Sequence, residues 1–266
     1  MPVRPARHCA LIGVTLAVAL LLGGCETTNG SGASASDVTA SDASRLTRSG
    51  FLTDYARLKP MPWGNGIECW REPHLNAAQY TKILVSRIVV SIAPPKGEDV
   101  APTVDPSDLK ALTDYFHTAL VKALRPQLQI VETAGPGVLV MRIALTNLVP
   151  TQVSRSIAST LIPYGFVAEA GSGVATGRPA GSTPYLGETG MEMQFRDGGN
   201  GAVLGECRDT QIGRKYAVSE GDDVVTTWAN GYLNSFQSWA YARDAFDKWS
   251  AQVAERLAQL RGVRPR

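Results

Sequence analysis

Between residues 80 and 147 the chain changes its hydrophobic rhythm twice. Tyr80 to Ala93 (YTKILVSRIVVSIA) is dense in β-branched residues and is halted by Pro94-Pro95, which predicts a strand, central in its sheet on one side. Asp105-Pro106-Ser107-Asp108 then carries a helix start, with Asp105 as the cap, Pro106 at the first helical position and Asp108 three residues on from the cap. Leu109, Leu112, Phe116, Leu120 and Leu124 follow at spacings of three and four, which makes one apolar stripe. Pro126 ends the helix.

Strands are predicted again over Leu128 to Glu132 and Val138 to Asn147, on either side of Ala134-Gly135-Pro136-Gly137, whose glycines suit a tight turn. Met191 to Arg196 and Ala202 to Arg208 flank Asp197-Gly198-Gly199-Asn200-Gly201 and read as an antiparallel hairpin. From Val224 to Leu260 the apolar positions Tyr232, Phe236, Trp239, Phe246, Trp249, Val253, Leu257 and Leu260 keep a helical period, with Gly231 and Asn234-Ser235 as points of kinking or splitting. The order β-α-β-β, insert, β-β-α predicts an α+β fold: a mainly antiparallel sheet with two helices packed on one face, plus a Gly/Ala-rich insert.

The N-terminus follows different rules. Arg4 and Arg7 precede an apolar run, Ala10 to Leu22, interrupted only by Thr15, which is the pattern of a signal peptide. The run is short of the ~20 residues needed to span hydrocarbon. It ends in Leu22-Gly23-Gly24-Cys25, which resembles the bacterial lipobox. That resemblance implies cleavage between Gly24 and Cys25, with acyl chains on Cys25 that anchor the chain in a membrane. Glu26, in place of the Asp that resembles an inner-membrane retention signal, favours an outer-membrane anchor with the body facing the periplasm. Residues 26–44 hold no aromatic residue and one valine, Val38, so they are expected to be a tether with a reach of ~25 Å. The expected organisation is a signal peptide over 1–24, a tether over 25–45 and a single domain over 46–266.

Removing residues 1–24 lowers Lys+Arg from 26 to 24, equal to the 24 Asp+Glu, and no Lys/Arg block remains in the body. A neutral surface of this kind argues against nucleic acid as a partner, because phosphate neutralisation supplies most of that affinity.

Ser49-Gly50-Phe51-Leu52, Asp54-Tyr55, Leu58 and Pro60 form a motif that resembles the opening of a family of bacterial lipoproteins, domain of unknown function 3313. The resemblance continues through Tyr80, Pro94, Gly135-Pro136-Gly137, Ala144-Leu145-Thr146, Glu192, Asp197 and Trp249. Trp70 and Ala93 depart from it, standing where the family pattern has tyrosine and valine. The family implies a lipoprotein and carries no assigned activity.

Candidate chemistry is sparse. Cys69 and Cys207 are the cysteines left after Cys9 and Cys25 are accounted for, and an oxidising compartment makes them a disulfide candidate worth ~4 to 5 kcal/mol in the chain-entropy model. The alternative is two separate buried thiols. His74 and His117 stand in no metal-binding spacing, no GxSxG elbow occurs, and Gly171-Ser172-Gly173-Val174-Ala175-Thr176-Gly177 misses the GxGxxG spacing. Glu220, Asp222 and Asp223 suit a helix start better than calcium. Neither a metal nor a cofactor is expected, and the chain is read as non-enzymatic.

Ile157 to Gly190 is nearly free of charge and rich in glycine, with Tyr164, Phe166, Gly171, Gly173 and Tyr185 as a candidate partner or lid segment. The function favoured by the sequence is a non-enzymatic binding or scaffold module of the envelope that joins a protein partner or its own copy. The alternative is a carrier or sensor of a small apolar ligand or lipid, with this segment over a pocket.

Overall fold

The computed structural model describes residues 39–64, 66–91, 104–150, 178, 182, 186–214 and 239–263. Its strands are β1 (Thr39–Ser41), β2 (Lys59–Pro60), β3 (Glu68–Arg71), β4 (Lys82–Val85), β5 (Val89–Val90), β6 (Gln129–Ile130), β7 (Val138–Val149), β8 (Glu188–Asp197) and β9 (Val203–Gly213). The two α-helices are α1 (Pro106–Leu124) and α2 (Ala240–Leu260). One mixed sheet runs β2-β3-β9-β8-β7-β4-β6, with β1 pairing beside β9 and β5 beside β7. The fold is therefore α+β, with β1, β2, β3, β7, β8 and β9 joined antiparallel. β4, β5 and β6 add a parallel side. Among the described residues no helix is long and apolar enough to cross a membrane.

The helix start is built as the local sequence dictates. Asp105 Oδ1 accepts from the Ser107 amide at 2.7 Å, Pro106 occupies the first turn, and Leu112, Phe116, Leu120 and Leu124 are buried. On α2, Phe246 and Trp249 meet this stripe. Phe116 stacks on Phe246 with ring centroids 4.5 Å apart and lies 5.9 Å from Trp249. Both helices cover the face of the sheet formed by Leu139, Met141, Ile143 and Leu145 of β7 and Met191 and Met193 of β8.

Four features change or add to the expectations. The single strand over 80–93 is two short ones, because three residues, 86–88, stand against two on β7 between the pairs Val85↔Met141 and Val89↔Ala144. Its predicted end at Pro94, like the first part of the 224–260 helix, lies outside the described residues. The strands flanking Gly135-Pro136-Gly137 do not pair with each other. α1 returns the chain to the far side of β4, so β4 separates β6 from β7 and pairs parallel with both. The third change is at residues 188–190 of the Gly/Ala-rich segment, which already belong to β8. Last, residues 39–45, placed in the tether by composition, are part of the folded body: Thr39 to Ser41 pair with Gly213 to Gln211. That pairing is made by backbone groups, which need no apolar side chains.

The hairpin between β8 and β9 is closed by Asp197, whose Oδ1 accepts from the amides of Gly199 and Asn200 at 2.7 and 3.0 Å. Gly198 is required there by space, since a Cβ would lie 2.7 Å from the Val138 carbonyl oxygen.

Candidate functional site

The two faces of the sheet have opposite chemistry, because alternate residues of β8 and β9 point to opposite sides. Glu192 and Gln194 of β8 and Glu206 and Arg208 of β9 share the face away from the helices, where residues 42–58 lie across them as a strap. Glu192 Oε1 accepts from the Ser49 amide at 2.9 Å, and its Oε2 accepts from Ser49 Oγ at 2.6 Å and Tyr55 Oη at 2.7 Å. Glu206 Oε1 accepts from the Thr53 amide at 2.7 Å, Thr53 Oγ1 at 2.8 Å and Gln194 Nε2 at 2.6 Å, while Oε2 meets Arg57 at 3.0 Å. Burial alone would raise the Glu206 carboxyl, but these donors outweigh it and hold the group below its usual range. Tyr55 is raised by burial and by donating to Glu192. Arg57 lies over the Trp70 ring at 3.7 Å, and Arg208 holds Glu68 at 2.6 Å.

The opening motif is thus a structural clamp. Its serine and tyrosine, with Thr53 between them, satisfy two carboxylates that are fully buried in the sheet. Tyr80 acts in the same way at the hairpin, donating to Asp197 Oδ2 at 2.6 Å. Burial and that bond push its hydroxyl up to about 12 and hold Asp197 low.

The helix-facing side holds the candidate site. A cavity of about 470 Å³ lies between the C-terminal half of α2, the sheet and the segment 61–80. That volume falls within the range of roughly 300–1,000 Å³ common for small-molecule sites. Met191, Met193, Leu204 and Leu139 form its floor, while Met61, Trp63, Ile67 and Leu75 form one wall. Gly205 stands opposite Phe195 and contributes no side chain. Val253, Leu257 and Leu260 of α2 face it from above, with Gln252, Arg256 and Arg261 as its polar part. Cys69 and Cys207, directly opposite each other in the β3–β9 ladder, also line the cavity and form a disulfide between these two strands, 138 residues apart in sequence.

Asp209 lies behind Trp249, 1% exposed. Its Oδ2 accepts from Trp249 Nε1 at 2.7 Å, Gln211 Nε2 at 2.6 Å and Ser41 Oγ at 3.2 Å; Oδ1 has no hydrogen-bond partner. Lys248 Nζ stands 3.4 Å from Gln211 Oε1. Burial raises the Asp209 carboxyl in spite of the three donors. An acid raised in the folded state stabilises fully below its unfolded value of ~3.9, and that contribution is lost as pH climbs through the folded value. Asp209→Asn keeps one oxygen for the donors and removes the ionisation, so the variant is expected to gain on the wild type in urea midpoint between pH 4 and pH 7. An unchanged difference at the two pH values would contradict the assignment.

Of the residues singled out by sequence, the structure joins Cys69 to Cys207. Gly24, Cys25, Tyr164, Phe166, Gly171, Gly173, Tyr185 and the acidic group at 220–223 lie outside the described residues. His74 is exposed and His117 half-buried, on separate elements. The segment 61–80 carries much of the cavity wall and stands out in sequence only through Met61 and Trp63, two bulky apolar residues in a proline- and glycine-rich stretch.

Comparison with known families decides the relationship. The family described as a protein of unknown function, DUF3313, matches residues 47–253. The chain belongs to this family. The match begins at the strap and runs to α2, so the DUF3313 region holds both the clamp and most of the cavity. The uncharacterized lipoprotein YdcL of Escherichia coli (strain K12) is 29% identical over 141 residues, 51% of this chain and 61% of that protein, and the YdcL of strain O157:H7 matches to the same extent. The chain thus spans about three-fifths of the length of those curated relatives. Among solved structures, the PelC dodecamer from Paraburkholderia phytofirmans is similar with 12% identity, covering 75% of this chain and 98% of that one at a TM-score of 0.35. A DUF4136 family protein from Bacteroides thetaiotaomicron is similar with 11% identity, covering 68% and 96%, at a TM-score of 0.27. Likeness at that level implies nothing about ligand, partner or assembly for this DUF3313 chain.

Proposed function

We propose that this chain is a lipid-anchored, non-catalytic protein of the bacterial envelope that holds a small apolar molecule between α2 and its sheet. The observation that carries the reading is the cavity of about 470 Å³, with its floor of methionine and leucine. Methionine side chains adapt to irregular apolar shapes, which suits a carrier more than a site built for one rigid substrate. The anchor part of the proposal rests on the sequence ending at Cys25 and on the lipoprotein among its relatives. Glu26 directs that anchor to the outer membrane, with the body in the periplasm.

The carboxylates on the other face support a non-catalytic role, because Glu192 and Glu206 are saturated by donors of the strap. The carrier function is preferred to a scaffold because it uses a feature of the described residues. The experiment is titration of the purified protein with the neutral dye N-phenyl-1-naphthylamine, together with native mass spectrometry for a retained apolar adduct. Saturable fluorescence is expected, weakened at least about tenfold in Leu204→Trp, which fills the cavity. Absence of saturable binding, or a folded Leu204→Trp variant that binds as well as wild type, would overturn the reading.

A further inference from the structure

The cavity is apolar in its floor but not in its charge. Four of its lining residues carry a formal charge: Arg71, Glu206, Arg256 and Arg261. The Glu206 carboxylate is engaged on the opposite face by Thr53, Gln194 and Arg57, which leaves three guanidinium groups as the charge of the site. Among the described residues none of these three arginines has a carboxylate within salt-bridge distance.

Arg256 and Arg261 are also positioned. Arg256 lies over the Trp63 ring at 4.3 Å and donates through Nη1 to Gln259 Oε1 at 2.6 Å. Arg261 donates through Nη1 to the Gln127 carbonyl at 2.8 Å. In both, Nε is buried and has no hydrogen-bond acceptor. A buried N–H of a cation without an acceptor is costly, and a planar guanidinium with free donors matches the geometry of a carboxylate or phosphate. Gln252, one turn before Arg256, also lines the cavity, and its buried Oε1 has no hydrogen-bond partner.

We infer that the ligand is an anionic amphiphile with a single apolar tail, its tail on the Met191, Met193 and Leu204 floor and its acidic head held by Arg256 and Arg261. The inference rests on the carrier function proposed above and adds the chemical class. Each arginine contributes a charge and an unfilled donor where a neutral apolar molecule would leave both unused.

The test compares two probes that differ only in the head, cis-parinaric acid and its methyl ester, each titrated by fluorescence below its aggregation concentration. The acid is expected to bind at least about tenfold more tightly than the ester at low salt. In Arg256→Gln/Arg261→Gln that advantage is expected to vanish, while ester binding stays within twofold. The ester therefore reports that the cavity of the variant is intact. Equal binding of acid and ester by the wild type would overturn the anionic class and leave the apolar carrier standing. Failure of both probes to bind would overturn both. Retained preference for the acid in the folded double variant would overturn the assignment to these two arginines.

Discussion

Reduction of the Cys69–Cys207 bond is expected to lower the unfolding free energy by about 5 kcal/mol in the chain-entropy account, because the bond closes a loop of well over a hundred residues in the unfolded chain. The loss should not be uniform. β3 is held to β9 by four paired residues, and beyond it stands only the two-residue β2. Urea titration with and without reductant reads the global effect, and hydrogen exchange at residues 68–71 reads the local one. Both midpoint and exchange protection should fall, with the 68–71 amides losing protection before those of β7 and β8. Identical midpoints in the two conditions would show that the strand pairing alone carries this edge. The same bond lines the cavity, so Cys69→Ala/Cys207→Ala should also weaken N-phenyl-1-naphthylamine binding.

Glu206→Ala is the second large effect. The carboxylate accepts four hydrogen bonds, one from Gln194, which is itself fully buried, and its removal strands the Gln194 side-chain amide and the Thr53 backbone amide, while Arg57 keeps Thr53 Oγ1 and Asp54. A loss of about 3 kcal/mol follows from leaving such donors without acceptors. Glu206 is held below its ordinary value in the folded state, so its contribution is present above the unfolded pKa of ~4.3 and disappears as pH falls through the folded value. Urea midpoints at pH 7 and pH 3 should therefore converge between wild type and variant. Limited proteolysis should cut the variant within 42–58 first. A variant cut no faster there than wild type would mean that the strap is held elsewhere.

The legible parts of this fold were those governed by short-range rules. Asp105-Pro106 and the leucine stripe specify α1 within a few residues, and Asp197-Gly198-Gly199-Asn200-Gly201 specifies the β8–β9 turn. The parallel side of the sheet is not legible in the sequence, because its pairing is set by where α1 returns the chain, a long-range event with no local mark. β1 and β3 escaped notice for a related reason: three or four residues, half of them polar, carry no measurable alternation. In the candidate site, the cysteine pair was visible through compartment and count. Arg256 and Arg261, near and just past the end of α2, were not, since they look like ordinary solvated charges at a helix C-terminus until the sheet beneath them is placed. The clamp residues were conspicuous as a motif, yet their partners lie 137 to 153 residues away, so their purpose appeared only in three dimensions.

The course of the strap has a mechanical consequence. A pull entering at Thr39 first meets the β1–β9 pairing, then Asp42 on Thr210, Arg45 on Glu188, Ser49 on Glu192, and Thr53 with Arg57 on Glu206. These attachments are met one after another in chain order, so tension would undo them singly rather than together. At Cys69 the load crosses a covalent bond into β9, inside the sheet. Residues 70–206 lie inside the covalently closed loop, so a force applied at the N-terminal end passes from Cys69 to Cys207 without extending the chain between them.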